Sequence, residues 1–371
     1  MLKLIKRFDN LNMLPLLQDF PAQCKDSYLL GEEIKIPPTY HLFKYVVFCG
    51  MGGSAIGGDI IRAAYLYRIK FPIFVIKNYS LPNFVDEETL FFVCSYSGNT
   101  EETISAYQEA KKRRAKIIVI SSGGILRELA EKDASPFVKI PPGYPPRELA
   151  EKDASPFVKI PPGYPPRQAL AYFVFTPLKI LEKINILPNL EPEWQETISL
   201  LEKLRDKNFS PEVKKGNFAW ELAQLLKNKF PVIYGQIDYL EAVCARWRAQ
   251  LAENSKVLSS IHFFPEMNHN EIVGWRFPEA VLKKFFIIFL RDNQEQERIE
   301  RRIEVTKEIF SRDGFKFKEV RAEGNFLLAR IFSLIYLGDY VSYYLALLNR
   351  VDPTPVEPIV YLKNKLSDNK V

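Results

Sequence analysis

The chain has 371 residues, more than one hydrophobic core of usual size serves, so its length favours two domains. With 47% hydrophobic and 26% charged residues it reads as globular, which excludes a largely disordered or collagen-like chain. The 51 Lys and Arg only slightly exceed the 45 Asp and Glu, and this +6 balance implies no nucleic-acid partner.

Met1 to Pro38 carries no helix-turn-helix signal and no secretory segment. From Tyr45 an apolar run ends at Cys49, a glycine-rich turn follows, and Ile60-Ile61-Arg62-Ala63-Ala64-Tyr65 then recurs at helical spacing. Further strands are predicted at Phe71 to Ile76, Leu90 to Cys94 and Lys116 to Ile120, with a helix opening at Glu101. The basic run Lys111-Lys112-Arg113-Arg114 reads as a solvated face of that helix. Strands alternating with helices, with small polar residues at the strand ends, argue an α/β fold: a doubly wound parallel sheet whose crevice takes a ligand.

Residues 127–146 read RELAEKDASPFVKIPPGYPP, and residues 147–166 repeat them without a change. Two copies of 20 residues do not make a solenoid, so the repeat reads as a recent tandem duplication or a sequence-assembly error and not as an architecture. Each copy holds one strand-like run, 136–140 or 156–160, and a sheet slot accepts one, so the other copy is expected to bulge out at little entropic cost. The upstream helix leads into the first copy and the downstream helix, from Gln168, leaves the second. Arg167 is therefore expected to be the segment's functional arginine and Arg147 the decoy.

A helical connector precedes a second α/β unit that starts at Pro231-Val232-Ile233-Tyr234-Gly235. Its predicted strands are Val257 to Phe263, Lys284 to Leu290 and Phe315 to Val320, and its predicted helices lie near 238–252, 295–311 and 325–348. The proline-rich stretch 351–358 is extended and leads into a short helix from Ile359. The boundary is placed near 190, giving domains 1–190 and 191–371. The four cysteines, Cys24, Cys49, Cys94 and Cys244, form no C-x-x-C pair and fit a reducing cytoplasm. No apolar run reaches the ~18 residues of a membrane span, so no membrane partner is expected.

Two loops carry chemistry. Gly50-Met51-Gly52-Gly53-Ser54 follows a strand and opens a helix, the setting in which backbone N–H groups approach an anion. Its spacing is neither a dinucleotide fingerprint nor a Walker loop. In Ser95-Tyr96-Ser97-Gly98-Asn99-Thr100, three hydroxyls at a helix entrance suit the reversible binding of a phosphate monoester.

With GMGGSAIGGD, SYSGNTEET, PPRQAL, RWRAQLAENSK, EMNHNEIVGW and LGDYVSYYLALLNRVDPTPVEPIVYLK in order, the chain resembles the bifunctional phosphoglucose/phosphomannose isomerase family, built from two sugar-isomerase (SIS) domains. The resemblance implies two SIS-type doubly wound domains with parallel sheets flanked by helices. It also implies metal-independent, cofactor-free interconversion of glucose 6-phosphate, mannose 6-phosphate and fructose 6-phosphate through a cis-enediol. It places Gly52, Gly53 and Ser54 in the first substrate loop, Ser95, Ser97 and Thr100 in the phosphate loop, and Arg167 beside the developing enediolate. Glu253 takes the place of the general base, His269 that of the ring-opening acid/base, Lys363 that of an assisting lysine, and Thr354 a position that shapes the pocket. A homodimer is implied, with His269 contributed across the interface.

The residues agree with this chemistry, since aldose–ketose isomerisation needs only a carboxylate to carry a proton between C1 and C2 and a second group to open the ring. Asn268 and Asn270, flanking His269, are expected to fix its tautomer. No His/Cys/carboxylate cluster at ligand spacing suggests a metal. A non-catalytic sugar-phosphate sensor would need the phosphate loop but neither Glu253 nor His269, and an amino-sugar synthase half would need an ammonia-producing domain, of which no nucleophilic cysteine after Met1 gives a sign.

Overall fold

A computed structural model describes residues 1–141, 165–213 and 215–368. In the first half, β1 (Tyr45–Cys49), β2 (Ile73–Ile76), β3 (Thr89–Cys94), β4 (Lys116–Ser121) and β5 (Phe137–Lys139) form a parallel sheet in the order β2-β1-β3-β4-β5. All six residues of β3 are buried, as expected of a strand covered on both faces. In the second half, β6 (Phe230–Gln236), β7 (Ser260–Phe264), β8 (Phe285–Arg291) and β9 (Phe317–Arg321) pair in parallel as β7-β6-β8-β9, the same winding. In each sheet the first strand lies between the second and third, so the chain reverses direction across the sheet there and leaves a crevice at the strands' carboxyl ends.

The first copy of the duplicated segment supplies the end of helix Gly124–Lys132 and all of β5, whose Phe137 and Val138 register against Val119 and Ile120. The second copy's strand-like run and Arg147 lie outside the described residues, which resume at Pro165.

The two sheets share their inner helices. Helix Gly52–Tyr65 packs against both Leu170–Lys183 and Tyr239–Glu253, and helix Leu327–Leu348 packs against Glu191–Leu204, Phe218–Leu226 and Tyr239–Glu253, so one apolar core runs through both halves. Helix Leu327–Leu348 is long and apolar enough to cross a membrane by length and composition, but 94% of its most apolar window is buried inside the protein. It is the central core helix of this fold.

The first 38 residues, whose apolar positions follow no clear period, form helices Leu2–Phe8, Met13–Gln18 and Phe20–Glu33. The last of these lies along Leu170–Lys183, where the Thr176 hydroxyl donates to the Ser27 carbonyl at 2.7 Å and the Tyr28 hydroxyl to Glu182. The basic run after Glu101 is solvated as its sequence suggests, with Lys111, Lys112 and Arg114 exposed and Arg113 half-buried. Arg113, at the end of that helix, donates to the carbonyls of Leu81, Pro82 and Val85 in the neighbouring loop and to Glu109 one turn back. All four cysteines are buried and unpaired, and burial pushes the Cys49 thiol up to about 12.

Candidate active site

The crevice between β1 and β3 is built by two loops that hold each other. After β1, Ser54 accepts a 3.2 Å hydrogen bond on Oγ from the Tyr96 backbone N–H, which ties the glycine turn to the hydroxyl loop after β3. Within the hydroxyl loop, Ser95 Oγ and Thr100 Oγ1 share a 3.0 Å hydrogen bond, and Ser95 and Ser97 accept from the N–H groups of Gly98 and Asn99 at 3.2 Å. Gly98 makes the turn with φ +69°, and a Cβ there would lie 1.8 Å from the Gly123 carbonyl oxygen, so both conformation and space demand glycine.

Thr100 occupies the N-cap of helix Glu101–Lys112, yet its side chain makes no capping bond. Its hydroxyl turns to Ser95 instead, so the first-turn N–H groups lack a side-chain acceptor and remain open to an anion. The equivalent turn of the second sheet is built differently. There the Glu295 carboxylate accepts from the Asp292 N–H at 2.9 Å and from the buried Arg291 guanidinium at 2.7 Å, so a carboxylate of the chain itself, and no hydroxyl cluster, sits in that turn.

Arg167 joins the two halves. Its short helical turn, Pro166–Gln168, lies against the glycine loop so closely that a Cβ on Gly53 would sit 3.0 Å from both the Arg167 Cα and the Pro166 carbonyl oxygen. The side chain is 2% exposed and faces the end of helix Tyr239–Glu253. Nε donates to Asn254 Oδ1 at 2.6 Å, Nη1 to Glu253 Oε2 at 3.3 Å, and Nη2 to the carbonyls of Pro353 and Thr354 at 2.9 Å. Four of its five N–H groups are so occupied, which leaves one on Nη1, beside the carboxylate. Burial pulls the guanidinium pKa down from its ordinary value, with the charge of Glu253 opposing and that of Arg246 adding to the shift, and the group stays charged.

Glu253 is 27% exposed, so its carboxylate is reachable from the crevice. Lys256 also belongs here, unforeseen from the sequence: its ammonium donates to the carbonyls of Glu253 at 2.7 Å and of Asn254 and Pro353 at 3.3 Å. Burial and the nearby Arg167 pull its pKa down. Thr354 contributes its carbonyl to Arg167, and its hydroxyl oxygen is buried without a partner.

The structure brings Gly53, Ser54, the Ser95–Thr100 loop, Arg167 and Glu253 into one region, while among the described residues no hydrogen bond or ion pair ties the predicted His269 and Lys363 to it. His269 is exposed on the short turn Glu266–His269, and among the described residues no hydrogen bond or ion pair joins it to Glu253. Lys363 lies on helix Glu357–Asp368, whose Ile359, Val360, Tyr361, Leu362 and Leu366 are all exposed.

The flanking asparagines do not hold the histidine, contrary to expectation. Asn268 donates to Thr306 Oγ1 at 3.0 Å and Asn270 to Glu266 at 2.7 Å, because each amide finds a nearer acceptor on its own loop or on helix Glu297–Arg312. The loop is pinned by Glu271, which accepts from His262 Nδ1 and from the Tyr234 hydroxyl, while Trp275 Nε1 donates to that hydroxyl at 3.1 Å.

Burial pushes the Glu271 carboxyl up, but the hydrogen bonds from His262 and Tyr234 outweigh it and hold the pKa below the ordinary value. A depressed carboxylate contributes stability above its unfolded pKa of about 4.3 and loses it as pH falls through the lower folded value. Glu271→Ala is therefore expected to speed amide exchange across residues 265–275 at neutral pH, and wild type should approach that rate only on acidification below the glutamate range. Equal protection in both proteins at pH 7 would dismiss the anchor.

Paired parallel sheets of one winding, with shared inner helices and an open hydroxyl loop at the first switch point, define a double SIS-domain protein of the α/β class. Residues 44–130 match the SIS domain family, and residues 215–366 match the bacterial phospho-glucose isomerase C-terminal SIS domain. A crystal structure of a hypothetical protein from Thermus thermophilus shares this fold with TM-score 0.71 at 15% identity, covering 99% of this chain and 92% of that one. The chain is 40% identical to the bifunctional phosphoglucose/phosphomannose isomerase of Caldicellulosiruptor bescii, over 95% of this chain and 98% of the relative. It is 37% identical to the enzyme of that name from Thermoplasma acidophilum, over 88% and 90%. The chain belongs to the bifunctional phosphoglucose/phosphomannose isomerase family.

Proposed function

We propose that this chain is an aldose–ketose isomerase interconverting glucose 6-phosphate, mannose 6-phosphate and fructose 6-phosphate by proton transfer. The observation that carries the reading is the Arg167 guanidinium held 3.3 Å from the Glu253 carboxylate, at the crevice where the hydroxyl loop opens. Ser95, Ser97, Thr100 and the open helix N-terminus bind the 6-phosphate, while Gly52, Gly53 and Ser54 line the sugar. His269 opens the ring with assistance from Lys363. Glu253 then removes the C2 proton of the open aldose, and the electrons pass through C1=C2 to the former carbonyl oxygen. The unoccupied N–H of Arg167 stabilises the enediolate, the O2 proton passes to O1, and return of the carried proton to C1 as the C2–O2 carbonyl forms gives the ketose. Delivery of the proton to either face of C2 in reverse yields glucose or mannose epimers. Proton transfer of this kind draws on side chains alone.

The same reading makes the enzyme a cytoplasmic homodimer with domains divided near 190, in which His269 reaches the neighbouring subunit's site. Support comes from the exposure of His269 without a bond, among the described residues, to Glu253 of its own chain, and from Val273 and Phe277, each 76% exposed on the segment that follows it. The four unpaired, buried cysteines suit a reducing compartment. Purified protein incubated with fructose 6-phosphate and a chelator should form glucose 6-phosphate and mannose 6-phosphate together. Formation of neither would refute the isomerase, and formation of one alone would refute its bifunctional character.

A further inference from the structure

Glu253 and Arg167 meet through only one hydrogen bond, and what sets its length lies behind them. The Arg167 carbonyl accepts from Arg246 Nη2 at 2.7 Å, and Arg246 is clamped by the Asp339 carboxylate at 3.0 and 2.8 Å. The Asp339 backbone carbonyl accepts from the Ser342 hydroxyl at 2.8 Å, Ser342 Oγ accepts from Asn254 Nδ2 at 2.9 Å, and Asn254 Oδ1 accepts from Arg167 Nε at 2.6 Å. These bonds close a ring that leaves Arg167 by its backbone and returns to its side chain. Every member is buried: Arg167, Arg246 and Asp339 at 2%, Asn254 and Ser342 at 0%.

The ring has a direction. A backbone carbonyl can only accept, so the Ser342 proton must point to Asp339, and the oxygen then has only its lone pairs left for Asn254. That forces the amide NH₂ of Asn254 toward Ser342 and its carbonyl toward Arg167 Nε. We propose that Asn254, Ser342, Asp339 and Arg246 are positioning residues for the isomerase reaction, a circuit from the central helix that fixes the Arg167 guanidinium against Glu253. The proposal rests on the isomerase reading above. It also accounts for how an arginine one residue beyond the duplicated segment keeps its place: every hydrogen bond that holds its side chain comes from residues after 250.

Without the Ser342 hydroxyl the amide of Asn254 loses what orients it, and the guanidinium loses a fixed axis. Ser342→Ala removes one oxygen atom and leaves the buried Arg246–Asp339 pair intact, so folding is retained where truncating that pair would endanger it. The variant is expected to lower kcat about ten-fold with KM nearly unchanged, since misplacement affects the transition state more than the bound phosphate. Ser342→Thr, which keeps the hydroxyl, should recover most of this loss, whereas Ser342→Val, its match in shape, should not. In an Arg167→Lys background, which has no Nε for Asn254 to hold, Ser342→Ala should cost nothing further. Equal kcat for the Thr and Val variants, or an unreduced cost in the Arg167→Lys background, would overturn the positioning role while leaving the isomerase reading in place. A wild-type chain that turns over no hexose 6-phosphate would sink that reading and the positioning role with it.

Discussion

Glu253→Gln is expected to lower kcat by roughly 10³-fold on fructose 6-phosphate, within the usual range for a removed general base. Glutamine has the shape of glutamate and keeps an oxygen for Arg167 at the end of helix Tyr239–Glu253, but it cannot carry a proton between C2 and C1. The hydroxyl loop is untouched, so KM should hold, and the hydrogen–deuterium exchange into substrate that accompanies turnover in D₂O should disappear with kcat. The same variant tests the subunit arrangement. Glu253→Gln and His269→Ala are each expected to be inactive as homodimers. If His269 crosses the interface, a heterodimer of the two has one site with both groups intact and one with neither, so an equal, freely exchanged mixture should recover about a quarter of wild-type activity. No recovery after demonstrated subunit exchange would place the histidine and the carboxylate in the same chain. A Glu253→Gln enzyme with wild-type kcat would remove this residue from the chemistry altogether.

Local patterns carried most of the fold. The apolar runs 45–49, 90–94 and 285–290 each became a buried strand within a residue of its expected limits, because a strand covered on both faces writes its burial directly into consecutive residues. Helix Phe20–Glu33 escaped notice because it buries Gln23, Ser27 and Gly31 alongside Phe20, Cys24 and Tyr28, which blurs any apolar stripe. The site divides in the same way. Hydroxyl and glycine loops are contiguous, so their chemistry is legible in a few adjacent letters. The bonds that aim Arg167 join residues 87 apart at Asn254, and those of its support join residues 93 apart at Arg246 and Asp339, so no window of sequence contains both partners. A signal was present nonetheless: Asp339 interrupts a helix that is otherwise almost wholly apolar, and a buried charge there requires a partner. The asparagines beside His269 mislead for the opposite reason, since adjacency in sequence does not make two side chains face each other on a tight turn.

The duplicated segment gives the second large effect. Arg147 and Arg167 follow identical stretches of chain, and only Arg167 lies among the described residues, at Glu253. Arg167→Ala is expected to lower kcat by roughly 10²–10³-fold, the usual cost of removing a charged donor from a developing oxyanion. Arg147→Ala should leave kcat, KM and stability at wild-type values. Because the copies are identical, removing residues 127–146 or residues 147–166 yields the same polypeptide, in which one arginine stands where two stood. That shortened chain still has helix Gly124–Lys132, β5 and the Pro-Pro-Arg turn, and its arginine meets the same acceptors from Asn254, Pro353 and Thr354. It should therefore retain full activity, with stability changed by about 1 kcal/mol or less, since shortening a connection recovers only a logarithmic loop entropy. Loss of activity in Arg147→Ala with retention in Arg167→Ala would reverse the assignment of the two arginines. A shortened chain that gains activity well above wild type would mean that the extra copy obstructs the crevice, and that the duplication acts on the site after all.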